Sequence, residues 1–237
     1  MTRRRWIADE VTNDRAALTG AHAAHLSRTL RARVGQEFEV VCGSVVRRAT
    51  VAGVNDERVE FVLGEEVTSS AGMPVTLLMA VFKFDRMEWA IEKCTELNVT
   101  RIVPVIARRT EKHLTLAAEK RVERWRRIAR EASEQARRVE LPEISNPIKL
   151  TSAIGVAADL RIVLAETERE EELSDILRER DDVQSLAMAI GPEGGWTVDE
   201  LQLFEQGGWR SALMGETILR AETAAVAALA IARAAVG

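Results

Sequence analysis

Cysteine and histidine are scarce in this chain, and their scarcity removes two classes of chemistry. Only Cys42 and Cys94 occur, one in each apparent domain, so neither a disulfide framework nor a cysteine-rich metal site is expected. The histidines His22, His25 and His113 are too few and too scattered for a zinc site, and no metal is expected. No apolar run approaches the ~18 residues needed to span a bilayer, so no membrane association is expected. The opening Arg3-Arg4-Arg5-Trp6 lacks the apolar stretch of a signal peptide, and the chain reads as cytoplasmic. Low-complexity runs are also missing. With 46% apolar residues among 237, the composition fits a globular protein of one large or two modest domains. No Gly-x-Gly-x-x-Gly follows the first strand of the larger domain, which disfavours a nucleotide-binding dehydrogenase.

A formal net charge of −4 argues against nucleic acid at first sight, but the charge is segregated. From Arg101 to Arg138 there are twelve Lys/Arg against five Asp/Glu, and from Asp159 to Asp182 four against ten. A basic face can therefore exist in an acidic protein, and such a face attracts a phosphate backbone through counterion release. A solvated helix surface is the commoner meaning of a charge run.

Residues 1 to about 70 read as mostly β, a small barrel or sandwich. Phe38–Cys42, Val45–Val54 and Arg58–Leu63 are short β-branched runs separated by Cys42-Gly43-Ser44 and Asn55-Asp56-Glu57, which suit tight turns. Between Thr19 and Val34 a short helical segment has Ala21, Ala24, Leu26 and Leu30 apolar. After a Ser/Thr/Gly-rich linker the pattern changes at Pro74 to alternating strand and helix, an α/β domain over 74–237. Val75–Val81 is continuous and apolar, as in a parallel strand covered on both faces. Asp85-x-x-Glu88 predicts a helix start, with Met87, Ala90, Ile91, Cys94 and Leu97 on one face. Further strands are expected at 101–106, 160–164, 186–190 and 210–213, a long helix over 117–140, and an acidic helix near 174–179. Thr197-x-x-Glu200 is a capping-box signature, with Gly207-Gly208 as the stop. The last segment, 222–236, is apolar all round and so is expected to pack against the preceding loops and a partner subunit.

Two stretches draw attention as ligand loops: Ile190-Gly191-Pro192-Glu193-Gly194-Gly195-Trp196, and the run from Leu213 through Met214, Gly215, Ile218, Leu219 and Arg220 to Ala224. Each follows a strand and precedes a helix, where open α/β sheets bind ligands, and glycine there exposes backbone N–H groups. Gly-Pro and Gly-Gly are also ordinary turn punctuation.

With these stretches the chain resembles the RsmE family of 16S ribosomal RNA uridine-N3 methyltransferases, within the SPOUT superfamily, over nearly its whole length. The motifs in order are His25-x-x-x-Thr29-Leu30-Arg31, Lys83-x-Asp85-Arg86-x-Glu88 and Glu92-Lys93-x-x-Glu96-Leu97, followed by Arg109, Arg124-Trp125, Glu131-Ala132-x-x-Gln135-x-x-Arg138 and Leu141-Pro142. The Gly191 to Gly195 loop and Ile218-Leu219-Arg220-x-Glu222-Thr223-Ala224 complete the set. Asn98 stands where the family usually has glycine at a helix end needing a left-handed residue, and asparagine is the next-best choice. Arg108 replaces a usual glutamate.

The resemblance implies a PUA-like β-barrel over 1–70 that helps hold RNA, and a SPOUT domain over 74–237 whose last segment forms a trefoil knot. It also implies a homodimer, and S-adenosylmethionine held near 160–237. Gly191, Pro192, Glu193, Gly194, Gly195, Leu213, Met214, Gly215, Ile218 and Leu219 would wrap the cofactor, with Leu164, Ala165 and Glu166 as a third wall. Deprotonating uracil N3 leaves an anion over two carbonyl oxygens; Arg220 is the candidate to stabilise it, unless it pairs with Glu216 or Glu222. Glu193 is a candidate base, ribose ligand or loop-shaping residue. Arg4, Arg5, His25, Arg28, Arg31, Arg109 and Arg138 are candidate phosphate contacts on 16S rRNA, naked or in the assembled subunit. Other readings are a superfamily relative methylating a ribose 2′-hydroxyl or a tRNA base, and a non-catalytic RNA-binding assembly factor.

Overall fold

The structure is a computed structural model that describes residues 5–43, 45–67, 72–136, 138–168, 170–179 and 183–236. They fall into two compact units, unit 1 being Met1–Ser70 with Ser133–Glu140 and unit 2 Ala71–Ala132 with Leu141–Gly237.

In unit 1 the elements are β1 (Arg5–Ile7), β2 (Glu10–Val11), β3 (Arg15–Thr19), α1 (Gly20–Ala24), β4 (Glu37–Cys42), β5 (Val45–Val54) and β6 (Arg58–Val67). They form one sheet in the order β1-β4-β5-β6-β3-β2, antiparallel except for the β1–β4 pair. The β5–β6 turn closes through Asn55, whose Oδ1 accepts from the amides of Glu57 (2.9 Å) and Arg58 (2.7 Å), the Asx turn that such a sequence favours. Alternate residues Val40, Ala49, Val51, Val59 and Phe61 point into a single core. The helical segment departs from the α pattern. After α1 the chain runs through a π turn, His25–Thr29, so Ala23 and Leu26 reach the core while Ala21 faces solvent. One extra residue per turn shifts the face, which 3.6-residue counting cannot anticipate.

Unit 2 begins with β7 (Val75–Ala80), α2 (Phe84–Glu96), β8 (Arg101–Ile106), α3 (Lys112–Ala118) and α4 (Val122–Ala136), the residues of α4 from Ser133 on being counted in unit 1. It continues with β9 (Glu143–Ile144), β10 (Ile148–Lys149), α5 (Leu150–Ala153), β11 (Leu160–Leu164) and α6 (Leu173–Arg178), then β12 (Leu186–Ile190), α7 (Val198–Gln206), β13 (Arg210–Ala212) and α8 (Ala221–Val236). All strand pairs are parallel, in the order β10-β8-β7-β12-β11-β13, with β9 beside β8. Successive side chains of β7 enter opposite cores: Leu77 and Met79 pack with Met87, Ile91, Trp125 and Leu229, whereas Leu78 and Ala80 pack with Val103, Leu150, Phe204 and Trp209. That two-sided burial is what a continuous apolar run requires.

The expected 117–140 helix is two helices joined by a 3₁₀ turn, Glu119–Arg121, which keeps Leu114, Ala118, Val122, Trp125 and Ala129 on one buried stripe. Lys83, not Asp85, is the cap residue of α2; Asp85 lies in its first turn, where the helix dipole favours a carboxylate. Asn98 has φ 64°, the left-handed position its place after α2 demands. Arg233 of α8 donates to the carbonyls of Leu97, Asn98 and Met73, tying the last helix to the C-terminal end of α2. Helix α8 buries one stripe, Ala221, Ala225, Ala228, Leu229 and Ala232, while Val226, Ala227 and Ile231 are half-buried. Within a single chain it is therefore not enclosed on every side. No described helix is long and apolar enough to cross a membrane.

Candidate functional site

Strands β12, β11 and β13 are neighbours in parallel register, Val163 lying beside both Ala189 and Ser211. Their following loops consequently emerge at one end of the sheet, the carboxyl end where open α/β sheets take ligands. There they enclose a cavity of about 650 Å³, within the range of small-molecule sites.

The loop after β12 is held from several directions. Gly195 adopts φ 69° and its amide donates to the Pro192 carbonyl at 2.8 Å. Arg109 Nη1 donates to the Gly194 carbonyl and, at 3.5 Å, to that of Trp196. Arg86 Nη1 meets Glu193 Oε1 at 3.3 Å, and Arg86 Nε lies 3.7 Å from Glu222 Oε1. A Cβ on Gly191 would sit 3.2 Å from the Trp196 indole nitrogen, and one on Gly195 3.2 Å from Glu166 Oε1, so neither position has room for alanine without displacement. Trp196 packs edge-on against Phe204 (5.0 Å), and Phe204 against Trp209 (5.1 Å). Just beyond, the capping box closes as expected: Thr197 Oγ1 accepts from the Glu200 amide (3.3 Å) and Glu200 Oε2 accepts from the Thr197 amide (2.8 Å). The buried Glu200 also accepts from the Arg108 amide at 2.7 Å, a tie to the β8 loop that the sequence does not announce.

Among the described residues the loop after β13 is anchored by backbone hydrogen bonds near its ends, with Met214 packed against the core. Leu213 bridges to the Glu171–Leu173 segment through backbone bonds of 2.9 and 3.0 Å, and the Arg220 carbonyl accepts from the Ala224 amide at 2.8 Å. Between them, Gly215 at φ 86° has nothing within 4 Å of its added Cβ, and Ile218 is 77% exposed. Arg220 is exposed, and among the described residues it forms no ion pair. Glu222, one of its two expected partners, faces Arg86 instead.

Leu164, Ala165, Glu166, Gly191, Pro192, Glu193, Gly194, Gly195, Leu213, Met214, Gly215, Ile218, Leu219 and Arg220 all line this one cavity. Arg86 and Arg109 line it too. Sequence reasoning placed Arg109 among phosphate contacts; here it braces the glycine loop. Arg86 was visible only as a motif position, because its partner Glu193 is distant in the chain. The lining is rich in carboxylates: Glu166, Glu168, Glu170, Glu172, Glu193 and Glu216 against Arg86, Arg109 and Arg220. Such a wall suits a cationic ligand with an apolar ring better than a polyphosphate.

The remaining basic candidates are distributed differently. In unit 1, Arg5 is engaged by Glu39 at 3.0 Å, and Arg28 by Asp56 at 2.9 Å. The Asp56 hydrogen bond and charge hold Arg28 above its ordinary pKa, and the Arg28 and Ser27 hydrogen bonds hold Asp56 below its own. Arg31 is exposed at φ 51°, and His25 is exposed beside Trp6, ring centroids 5.8 Å apart. Arg138 is buried, with only 9% of its surface exposed, and offers little to a phosphate. Arg4 lies outside the described residues.

Residues 69–233 match the family model described as an RNA methyltransferase domain. The chain is 30% identical over 226 residues to the Ribosomal RNA small subunit methyltransferase E of Synechocystis sp., covering 94% of this chain and 74% of the relative. It is equally 30% identical over 226 residues to the protein of the same name from Bacillus subtilis, covering 90% and 87%. Among solved structures it superposes on the Ribosomal RNA small subunit methyltransferase E from Neisseria gonorrhoeae bound to S-adenosyl methionine, with a TM-score of 0.81, 28% identity, and coverage of 96% and 95%.

Proposed function

The chain belongs to the RNA methyltransferase family, close to the ribosomal RNA small subunit methyltransferase E proteins, and from that premise we propose that it methylates N3 of a uridine in 16S rRNA, using S-adenosyl-L-methionine. The observation that carries this is the convergence of three strand-end loops on one cavity, with glycine backbone on one side and Arg220 uncommitted on the other. The lining fits the cofactor: Leu164, Met214 and Leu219 offer apolar contact to an adenine, and the surrounding glutamates complement a sulfonium and an ammonium group. When bound, S-adenosyl-L-methionine supplies an electrophilic methyl group on its sulfur.

The protein's own share is mainly positioning, since in-line displacement at a methyl carbon needs alignment more than acid catalysis. The backbone of Gly191 to Gly195 and of Leu213 to Gly215 holds the cofactor. Arg86 fixes Glu193 in the loop's shape, which suits a structural role for that carboxylate better than proton removal. Arg220 points its planar fork at the carbonyl oxygens of the target uracil and favours the N3 anion. N3 lies on the Watson–Crick edge, so the base must be unpaired or flipped out to reach Arg220. Arg28 and Arg31 of unit 1 are phosphate contacts in this scheme. Arg28 can exchange its exposed partner Asp56 for a phosphate at little cost.

The same reading takes unit 1 as a PUA-like RNA-binding barrel, the end of unit 2 as a trefoil knot, and the half-buried side of α8 as a homodimer contact, in a cytoplasmic enzyme. The test is nucleoside analysis of small-subunit rRNA from a strain lacking the protein. One N3-methyluridine is expected to be missing, and purified protein with S-adenosyl-L-methionine should restore it. A missing 2′-O-methyl nucleoside or an altered tRNA instead would replace this assignment.

A further inference from the structure

Unit 1 carries a second cavity, of about 460 Å³, lined by Trp6, His25, Thr29, Leu30 and Gln135 among others. Several of its polar side chains are already engaged: Arg5 with Glu39 at 3.0 Å, and His22 between Asp9 (3.3 Å) and Glu134 (3.2 Å). What remains open are aromatic, hydroxyl and amide side chains. Among the described residues the side chains of His25, Thr29 and Gln135 form no hydrogen bond, and the Trp6 indole nitrogen is buried without a partner. Indole and imidazole are flat surfaces, and Gln135 offers both a donor and an acceptor.

We propose that this cavity binds an unpaired nucleobase of the RNA substrate, the base lying against Trp6 and His25 and its polar edge meeting Gln135 and Thr29. The proposal rests on the RNA methyltransferase reading above. It gives His25, Thr29 and Gln135 a role in base contact in place of charge attraction. A phosphate is a poor fit, because the Arg5 guanidinium at the cavity is paired with Glu39 within unit 1, whereas stacking on aromatic faces with a few edge hydrogen bonds is how proteins read single-stranded RNA.

The test uses the full-length protein with ¹⁵N-labelled tryptophan, the Trp6 indole signal being assigned by its loss in Trp6→Phe. At least one of the four ribonucleosides should shift that signal, and a single-stranded decanucleotide of the same base should shift it at lower concentration. Inorganic phosphate should leave it in place. His25→Ala and Gln135→Ala, both at exposed positions, should weaken decanucleotide binding by about 10-fold, with the dependence of log Kd on log salt unchanged. Silence of the signal toward all nucleosides and decanucleotides overturns the proposal. So does an equal response to phosphate, or a salt slope that falls by about one in His25→Ala, the mark of a lost phosphate contact. Methyl transfer from S-adenosyl-L-methionine to small-subunit rRNA by the wild-type protein is measured separately, so failure of the enzymatic reading is distinguishable from failure of the pocket.

Discussion

Between Ile190 and Thr197 three residues, Glu193, Gly194 and Trp196, are held by side chains from outside the loop, whereas between Leu213 and Arg220 the backbone hydrogen bonds among the described residues lie at the two ends. The first loop has a guanidinium on its carbonyls, an ion pair on its carboxylate and its own indole, Trp196, packed on Phe204. The second has an exposed isoleucine, an arginine without an ion pair among the described residues, and a glycine with open space around it. Both contain glycine at positive φ, yet for different reasons: crowding plus conformation at Gly195, conformation alone at Gly215. A loop that must present fixed N–H groups benefits from bracing before the ligand arrives. One that must admit a macromolecular base and then close on it benefits from slack.

Substitutions can break that contrast, and Arg220→Ala is expected to have the largest effect. Turnover should fall by about 10²–10³-fold, the scale of losing a group that stabilises developing charge, while the cofactor Kd measured by calorimetry stays within twofold. A near-wild-type rate would remove Arg220 from the chemistry. Next comes Gly195→Ala, which forces an L side chain into the left-handed region and toward Glu166; about 1–3 kcal/mol of stability should go, and cofactor affinity should drop by at least tenfold. Thr197→Ala removes the cap of α7 and should cost about 1 kcal/mol in urea unfolding, with a smaller rise in cofactor Kd through the adjoining loop. Gly215→Ala completes the series. With open space at its Cβ only the left-handed penalty applies, about 1–2 kcal/mol, and cofactor affinity should barely move. Equal affinity losses in Gly195→Ala and Gly215→Ala would mean the two loops are not built differently.

Much of this was legible in the residues because the signals are local. The capping box at Thr197, the left-handed Asn98 and the apolar run of β7 each depend on a handful of neighbours, and each appears where its pattern placed it. Features that escaped were those where a local rule met a non-local competitor. The π turn at His25–Thr29 moves the buried face from Ala21 to Ala23, and the 3₁₀ turn at Glu119–Arg121 splits one expected helix into two. The bracing of the glycine loop was invisible because its partners, Arg86 and Arg109, lie about a hundred or fewer positions upstream on other elements. Arg109 and Arg138 are candidate phosphate contacts by sequence; in the structure the first also braces a loop and the second is buried.

The central position of β7 also has a consequence for how the chain is made. One edge of β7 pairs with β8, which follows it closely, but the other pairs with β12, whose Leu186 lies opposite Val75. As the polypeptide is synthesised, an apolar strand with one unpaired edge must wait for some hundred further residues before its neighbour exists. Contacts so far apart in sequence slow assembly, and an open edge in the meantime is a template for association with other chains. Early truncation products and slow translation of the segment between α2 and β12 are therefore expected to leave aggregates, and shielding by chaperones during that interval to raise the yield of folded protein.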